Sequence, residues 1–356
     1  MKRKRKCDQM LIVIIGILIF AGLVILYSTS AYNGRVKFQD SFYYLKKQIF
    51  ANALGIFLMY IVANMDYHIW EKMAIPMYMA AVGLSIAVVL FGREYNGSRR
   101  WLSLGPFSFQ PSEFSKIALI IFIAAHISKQ QKTFGSICSV VKCMILVLPV
   151  AGLVGAANLS TAVIILGITV ILMFIASPKY VQFLLLGLFG TAFMALFLVM
   201  ESYRMERIQI WRHPELFEKG YQTMQGLYAI GSGGIFGTGL GNGIQKLGFV
   251  PEAQNDMIFS IICEEMGLTG AVFIIVIFML LLWRFCITAV NCRDLFGTLL
   301  ASGAMAHIIL QLILNIGVVT NTIPNTGITL PFISFGGTSV LFLLMEMGLV
   351  LSVSGW

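Results

Sequence analysis

The stretch LIVIIGILIFAGLVILYSTS, residues 11–30, decides the fold class, because it is an almost unbroken apolar run that follows a basic terminus. A helix that crosses the roughly 30 Å hydrocarbon core of a bilayer needs about 20 mostly apolar residues. The preceding MKRKRK predicts that the N-terminus stays in the cytoplasm. A basic segment before an apolar core also resembles a secretory signal peptide, so cleavage stays open. An uncleaved first span is favoured because many more apolar runs follow.

The rest of the chain repeats this apolar pattern. Of its 356 residues, 58% are hydrophobic and only 12% are charged, which excludes an ordinary soluble domain. About ten spans are predicted, near residues 10–30, 46–64, 73–91, 113–128, 136–156, 160–176, 180–200, 257–283, 296–318 and 331–353. The predicted fold is an all-α polytopic membrane protein in which residues 1–356 form one membrane domain. Both termini are expected in the cytoplasm, and residues 201–256 form a long extracytoplasmic loop between helices 7 and 8.

The basic residues carry a second signal. In a membrane chain a net charge of +9 serves topology and anionic lipid, so nucleic acid is not a predicted partner. Arg99 and Arg100 lie beside Trp101 in an outward loop, 92–112, that is rich in Gly, Pro and aromatic residues. Paired guanidinium groups bind phosphate in a bidentate manner, so an anionic lipid head group is the predicted ligand. The six cysteines match no metal spacing and predict no structural disulfide.

Ionisable groups inside spans are costly and therefore indicate function by default. Glu113 and Lys116 stand three residues apart on one predicted helix, so they can neutralise each other. A purely structural ion pair and a functional pair are both open on this spacing alone. Their place near the outward end of the span, close in depth to Arg99 and Arg100, favours function. Other polar residues in spans are predicted to hydrogen-bond between helices: Glu264, Glu265, His307, Gln311, Asn315 and Glu346.

The glycine-rich run GSGGIFGTGLGNG, residues 231–243, superficially resembles a phosphate-binding loop. No predicted strand precedes it and no GK[ST] closes it, so nucleotide binding is discounted. Glycine is expected here because it permits positive φ and close approach of the backbone to a neighbour.

The stretch PEAQNDMIFSIICEE, residues 251–265, places a carboxylate, Asp256, where an apolar run begins. Asp is common at helix N-termini, so an N-terminal cap is the favoured interpretation on physical grounds alone. A carboxylate at the lipid interface that faces cations could instead abstract a proton from a hydroxyl.

Three blocks of sequence resemble the signatures of one family, the SEDS family, which comprises FtsW, RodA and SpoVE. They are NGSRRWLSLGPFSFQPSEFSKIAL (96–119), GLGNGIQKLGFVPEAQNDMIFSIICEEMGLTG (239–270) and NTGITLPFISFGGTSVL (325–341). GLGNGIQKL is more similar to FtsW and SpoVE than to RodA. The family often has Asp-Leu-Gly-Thr where this chain has Asn158 to Thr161, so no charge role is assigned there.

The resemblance implies a peptidoglycan glycosyltransferase of the bacterial cytoplasmic membrane that polymerises lipid II at the outer face, in division or sporulation. It implies a class B penicillin-binding protein and other divisome proteins as partners. Asp256 matches the family's essential aspartate, which overrides the preference for a mere cap. Asp256 would then be the general base or hold a divalent cation, Mg or Mn, and no organic cofactor is expected. Arg99, Arg100, Glu113 and Lys116 are the predicted substrate-binding residues, which stabilise the departing pyrophosphate.

Three alternatives remain. A lipid II flippase could use the same cationic groove, although flipping needs access from both faces and these charges collect on one. An elongation-type polymerase similar to RodA would share the chemistry. A non-catalytic scaffold that recruits a transpeptidase would not need Asp256.

Overall fold

The computed structural model of this chain describes residues 8–95, 98–104, 107–131, 134–184, 187 and 208–355, with the side chains of 93–99 and 103–107 left outside. The helices are α1 (Gln9–Phe38), α2 (Tyr43–Asn64), α3 (His68–Phe91), α4 (Pro111–Lys129), α5 (Ile137–Ala157), α6 (Leu159–Ala176), α7 (Tyr221–Gly233), α8 (Ile258–Asn291), α9 (Leu295–Val319) and α10 (Gly337–Gly355). The strands are β1 (Arg93–Tyr95), β2 (Ser98–Leu104) and β3 (Phe107–Phe109).

All of these helices except α7 are long and apolar enough to cross a membrane, which gives nine candidate spans in the described part of the chain. The predicted polytopic α-helical fold is confirmed, and nine of the predicted spans coincide with helices. The remaining one, 180–200, lies mostly outside the described residues, as does the start of the predicted loop 201–256.

The bundle has two faces, which we name by what they carry. At one, the terminal face, the backbone amide of Asp8 donates to Ser354 Oγ at 3.3 Å, so the two described ends of the chain lie together. At the other, the Asp256 face, α8 begins just after Asp256.

The loop 92–112, which was predicted to face outward, contains strands, which the all-α prediction did not include. Strand β1 pairs antiparallel with β2, and β2 pairs antiparallel with β3. The aromatic and alternating residues of this loop favour a pleated surface. The sheet lies directly before α4 and therefore helps to set the start of that helix.

Two clusters of buried apolar side chains form the core. One joins α1, the whole length of α8 and the segment before α10. The other joins α3, α4, α5 and α6. Helices α9 and α10 contribute residues to both clusters, so they lie between the two halves of the bundle.

Helix α8 is broken near its start. Gly267 has φ 64° and ψ −163°, a conformation that side chains rarely adopt. A Cβ there would lie 2.4 Å from both the Gly237 nitrogen and the Ile235 oxygen. The glycine-rich run therefore packs against the break, which confirms the predicted close approach. At this depth the side chains of Ile235 and Phe236 are 61% and 81% exposed on the outside of the bundle, as expected for apolar residues that face lipid.

Candidate functional site

The three signature blocks, 96–119, 239–270 and 325–341, meet in the structure. Residues 325–341, which we call the hub segment, touch both of the other blocks. The hydroxyl of Ser339 donates to Glu113 Oε2 at 2.9 Å, which joins the hub segment to the first block.

The same segment is joined to the second block just before Asp256. The amide of Phe335 donates to the carbonyl of Gln254 at 2.9 Å, and Ser334 Oγ donates to the carbonyl of Asn255 at 2.6 Å. Two consecutive carbonyls are thus fixed by two consecutive residues of the hub segment. This double attachment sets the path of the chain into Asp256.

Asp256 lies at the entrance of α8 but does not cap it in the simple sense. The N-cap position belongs to Met257, and no side-chain cap bond is formed there. The Asp256 side chain instead accepts a hydrogen bond from Gln222 Nε2 at 3.3 Å. Gln222 stands in the first turn of α7, so the carboxylate lies between two helix starts.

Amide side chains surround this carboxylate. Asn325 Nδ2 donates to Gln222 Oε1 at 3.3 Å, and Asn315 Nδ2 donates to the backbone carbonyl of Asp256 at 2.8 Å. A Cβ built on Gly327 would lie 3.9 Å from Asp256 Oδ2, so the hub segment forms one wall of the site.

The environment raises the pKa of the Asp256 carboxyl to about 6. Burial is the main cause, because it disfavours the charged form, and the nearby charge of Glu252 adds to it. The hydrogen bond from Gln222 acts in the opposite direction. A carboxylate with a pKa near neutrality is well matched to proton abstraction at physiological pH.

Glu113 and Lys116 form the ion pair that their spacing predicts, with Lys116 Nζ 3.0 Å from Glu113 Oε1. Lys116 is only 2% exposed, so this charge is held within the bundle. The second oxygen of Glu113 accepts from Ser339, which ties the pair to the hub segment. The pair and Asp256 therefore contact opposite ends of one segment.

Arg99 and Arg100 stand on β2. The Arg99 side chain lies outside the described residues. Arg100 Nε donates to the carbonyl of Ala157 at 3.2 Å, at the end of α5. From there α6 begins at once, and Ser160 Oγ donates to the Thr326 carbonyl of the hub segment at 2.9 Å. Arg100 is thus linked to the hub segment through the start of α6, at a distance from the Asp256 carboxylate.

The buried polar residues of the spans only partly follow the prediction of helix-to-helix hydrogen bonds. His307 Nδ1 and Glu346 Oε2 lie 2.7 Å apart and join α9 to α10, as expected. Gln311 and Asn315 instead donate to the carbonyls of Thr329 and Ile328 in the hub segment. The prediction of a helix partner was wrong for these two, because loop backbone at membrane depth needs donors and side-chain amides supply them.

Three site residues had no individual signal in the sequence: Gln222, Asn325 and Ser339. Each is an ordinary polar residue outside the spans or at a helix start, where polar residues are expected anyway. Only their contacts with Asp256, Gln222 and Glu113 reveal them.

The donor set at Asp256 fits one kind of metal only. Among the described residues no group of three or more His, Cys, Asp or Glu side chains could hold an ion. Asp256 offers one carboxylate, surrounded by amides. A magnesium-like cation commonly takes one or two carboxylates and completes its shell with water and substrate phosphates. The site therefore fits a divalent cation brought with a phosphate-bearing ligand, and not a cage made of protein ligands.

A cavity of about 610 Å³ opens at the terminal face, far along α8 from Asp256. Its lining includes Asp8, Arg284, Tyr67 and Asp294. Arg284 Nε donates to Asp8 Oδ2 at 2.9 Å, so this arginine already has a carboxylate partner.

The hub segment therefore joins the blocks that carry Asp256 and the Glu113–Lys116 pair. The family model FTSW_RODA_SPOVE, described as "Cell cycle protein", matches residues 8–355. The chain belongs to the FtsW/RodA/SpoVE family. Members of the family with curated names match almost end to end. Stage V sporulation protein E of Bacillus subtilis is 37% identical over 99% of this chain and 98% of its own length. The probable peptidoglycan glycosyltransferase FtsW of Geobacter sp. strain M18 is 35% identical over the same shares of the two chains.

Solved structures of the FtsW/RodA/SpoVE family have the same fold. One described as "Structural coordination of polymerization and crosslinking by a peptidoglycan synthase complex" matches with a TM-score of 0.82 and 29% identity, over 98% of this chain and 97% of that chain. The rod shape determining protein RodA of Thermus thermophilus matches with a TM-score of 0.73 and 28% identity, over 98% and 96%.

Proposed function

We propose that this chain is a peptidoglycan glycosyltransferase that polymerises lipid II at the outer face of the bacterial cytoplasmic membrane, in division or sporulation. One observation carries the proposal. The hub segment joins the block of Asp256 to the block of Glu113 and Lys116, so a base and a buried cation share one supporting element. Family membership and the names of the relatives support the same activity.

In the proposed reaction Asp256 takes the proton from the 4-hydroxyl of the acceptor sugar. The freed oxygen bonds to the anomeric carbon of the donor, while the bond from that carbon to the pyrophosphate oxygen breaks. The undecaprenyl pyrophosphate leaves with the electron pair. Transfer to such a good leaving group needs one base and cationic stabilisation, unlike the two carboxylates of a glycosidase.

The cations of the chain stabilise the leaving pyrophosphate in this proposal. Lys116, oriented by Glu113, supplies a buried charge, and Arg99 and Arg100 supply guanidinium groups near the rim. Preorganised charges act strongly where water is excluded. In the alternative in which Asp256 holds a divalent cation and is not itself the base, Mg²⁺ or Mn²⁺ would neutralise the diphosphate and Asp256 would supply its protein ligand.

The proposed setting includes a partner and an orientation. A class B penicillin-binding protein would cross-link the strands that this chain makes, alongside other divisome proteins. The Asp256 face would lie outside and the terminal face inside, as the basic N-terminus indicates.

The test is polymerisation of purified lipid II by the purified full chain in detergent, with Mg²⁺ or Mn²⁺ and with its cognate penicillin-binding protein present or absent. We expect glycan strands from the wild type and none from Asp256→Ala that remains folded and partner-bound. Normal strands from Asp256→Ala would refute the assignment.

The assay in detergent, a vesicle assay and complementation in cells together separate the alternatives. Strands made in detergent, where no bilayer exists, cannot result from flipping. A flippase would move lipid II across vesicles and make no polymer. A scaffold would allow Asp256→Ala to complement a deletion in cells.

A further inference from the structure

Residues 221–256 form a hairpin beside the first turns of α8. Its first arm, α7, begins beside Asp256 and runs along α8 until Gly233 meets the carbonyl of Cys263, where a Cβ would lie 1.8 Å from the oxygen. Its second arm returns through residues 244–250 to Asp256. The tip lies at the level of Glu265, nine residues and so about 13 Å along the helix from Asp256.

The backbone of the tip satisfies the break in α8. Four backbone hydrogen bonds of 2.9–3.1 Å join the tip to α8. The amides of Thr238 and Gly239 donate to the carbonyls of Glu264 and Glu265, and the amides of Leu268 and Thr269 donate to the carbonyls of Gly234 and Ile235. Backbone N–H and C=O groups at membrane depth are costly unless protein atoms satisfy them. The hairpin and the broken helix are therefore one structural unit.

A buried ion pair fixes the returning arm at this level. Lys246 Nζ lies 2.5 Å from Glu265 Oε1 and 2.9 Å from Ser28 Oγ, and Ser28 Oγ donates to Glu265 Oε2 at 2.7 Å. Lys246 and Glu265 are 5% and 3% exposed. Ser28 belongs to α1, so three elements converge on one charge pair.

The neighbouring carboxylate holds the same stretch through its backbone. Glu264 Oε1 accepts from the amides of Ile244 and Gln245 at 2.7 and 3.1 Å. Two consecutive glutamates thus fix three consecutive residues of the returning arm. This role of Lys246 could not be predicted, because in the sequence Lys246 is one of several cations in the predicted loop 201–256.

The arm held in this way leads directly to Asp256. Asp256 lies ten positions after Lys246. The described side-chain bond to the Asp256 carboxylate, from Gln222 at 3.3 Å, comes from the other arm of the same hairpin. Two restraints on the carboxylate therefore pass through the hairpin, in addition to the bonds that the hub segment and Asn315 make to the backbone of residues 254–256. A small displacement of a reacting group can cost about 100-fold in rate.

We propose that Lys246 and Glu265 are positioning residues that fix the hairpin and thereby hold the Asp256 carboxylate in place for the proposed transfer. This inference rests on the proposed function. Buried ion pairs add little net stability compared with apolar residues of similar size, but they do specify one arrangement. The pair selects the arrangement in which Asp256 faces the hub segment.

The test measures kcat and KM for lipid II polymerisation by the full chain with Lys246→Met, Glu265→Gln and the double variant. We expect kcat to fall about 10- to 100-fold in each single variant, with KM changed less than about threefold. The kcat of the double variant should be no lower than that of the less active single variant, because the pair acts as a unit. Ser28→Ala, a milder change, should lower kcat by a smaller factor.

The matched control is the ion pair of the terminal face. Arg284→Met removes a cation whose Nη2 lies 2.5 Å from Asp8 Oδ2, and it should leave kcat unchanged. Rates are normalised to folded, monodisperse protein, followed by thermal unfolding in detergent. Three results would overturn the positioning role: a loss of kcat that disappears after this normalisation, an effect on KM alone, or losses of kcat that add in the double variant. A wild type that makes no polymer would instead remove the proposed function itself.

Discussion

Asp256 combines three properties at the scale of one residue: it is half-buried, it faces amides, and it lies near a second carboxylate, Glu252. The sequence predicted the position of this carboxylate at the start of a span; the residues alone favoured a cap, and the family resemblance overrode that preference. The structure excludes a simple N-cap role for Asp256, because the N-cap position falls on Met257. The raised pKa could not be predicted from the sequence, since it depends on side chains from distant segments.

The pH dependence of activity follows from this raised pKa. A base must be ionised, so kcat/KM should fall on the acid side of about pH 6 instead of near pH 4, about tenfold per pH unit. Glu252→Gln removes the neighbouring charge and should move this acid limb to lower pH. The pH profile of lipid II polymerisation measures both. An acid limb near pH 4 in the wild type would contradict the environment described for Asp256.

Ser339 allows a test of the link between the hub segment and the Glu113–Lys116 pair. Ser339→Ala removes the 2.9 Å hydrogen bond to Glu113 and should lower kcat several-fold, as expected for loss of about 1 kcal/mol of orientation. Ser352→Ala is the matched control, because it removes a 2.7 Å bond to the Met65 carbonyl from the same helix at the terminal face. Equal kinetics for the two variants would exclude a special role of Ser339.

At the scale of elements, periodicity and apolar length predicted the long helices because those signals are local. The hairpin of residues 221–256 was not predicted. Its glycines indicated close approach, but the partner, the break of α8 at Gly267, is fixed only by tertiary contacts. The small sheet before α4 was missed for the same reason, because strand pairing joins residues through register and not through composition alone.

Gly267→Ala tests the break in α8. The substitution places a side chain at φ 64° and a Cβ 2.4 Å from backbone atoms of the hairpin. It should therefore lower the free energy of unfolding by at least about 1–3 kcal/mol, or abolish folding. Gly83→Ala in α3 is the control, because nothing lies within 4 Å of its Cβ position. Thermal unfolding in detergent should separate the two clearly. A wild-type melting temperature for Gly267→Ala would show that the break is not required.

At the scale of the whole molecule, the described ends of the chain share one face and Asp256 lies at the other. Counting apolar runs predicted ten crossings, and nine of them coincide with helices of the described residues. The prediction of which face is cytoplasmic depends on the basic residues just before the first span, because Lys and Arg, with these included, divide evenly between the two sides. The convergence of the three signature blocks was not predictable, since the hub segment contacts residues more than 200 positions away.

Thiol labelling tests the orientation. A chain that keeps only Cys138, which is exposed at the start of α5, should react with a membrane-impermeant reagent only after the cells are permeabilised. In a cysteine-free chain, Glu215→Cys at the Asp256 face should react in intact cells, since Glu215 is exposed. The reverse pattern would invert the topology and move Asp256 to the cytoplasm.

The most direct test of the account measures chemistry and substrate binding separately in Asp256→Asn, which keeps the shape of the side chain and removes the base. Single-turnover polymerisation should slow by at least about 100-fold, while the affinity for lipid II changes little. Because the raised pKa means that folding disfavours the charged carboxylate, the variant should also be at least as stable as the wild type at neutral pH. A variant that turns over at the wild-type rate, or one that loses rate only because it no longer binds lipid II, would contradict the role of Asp256 as the base.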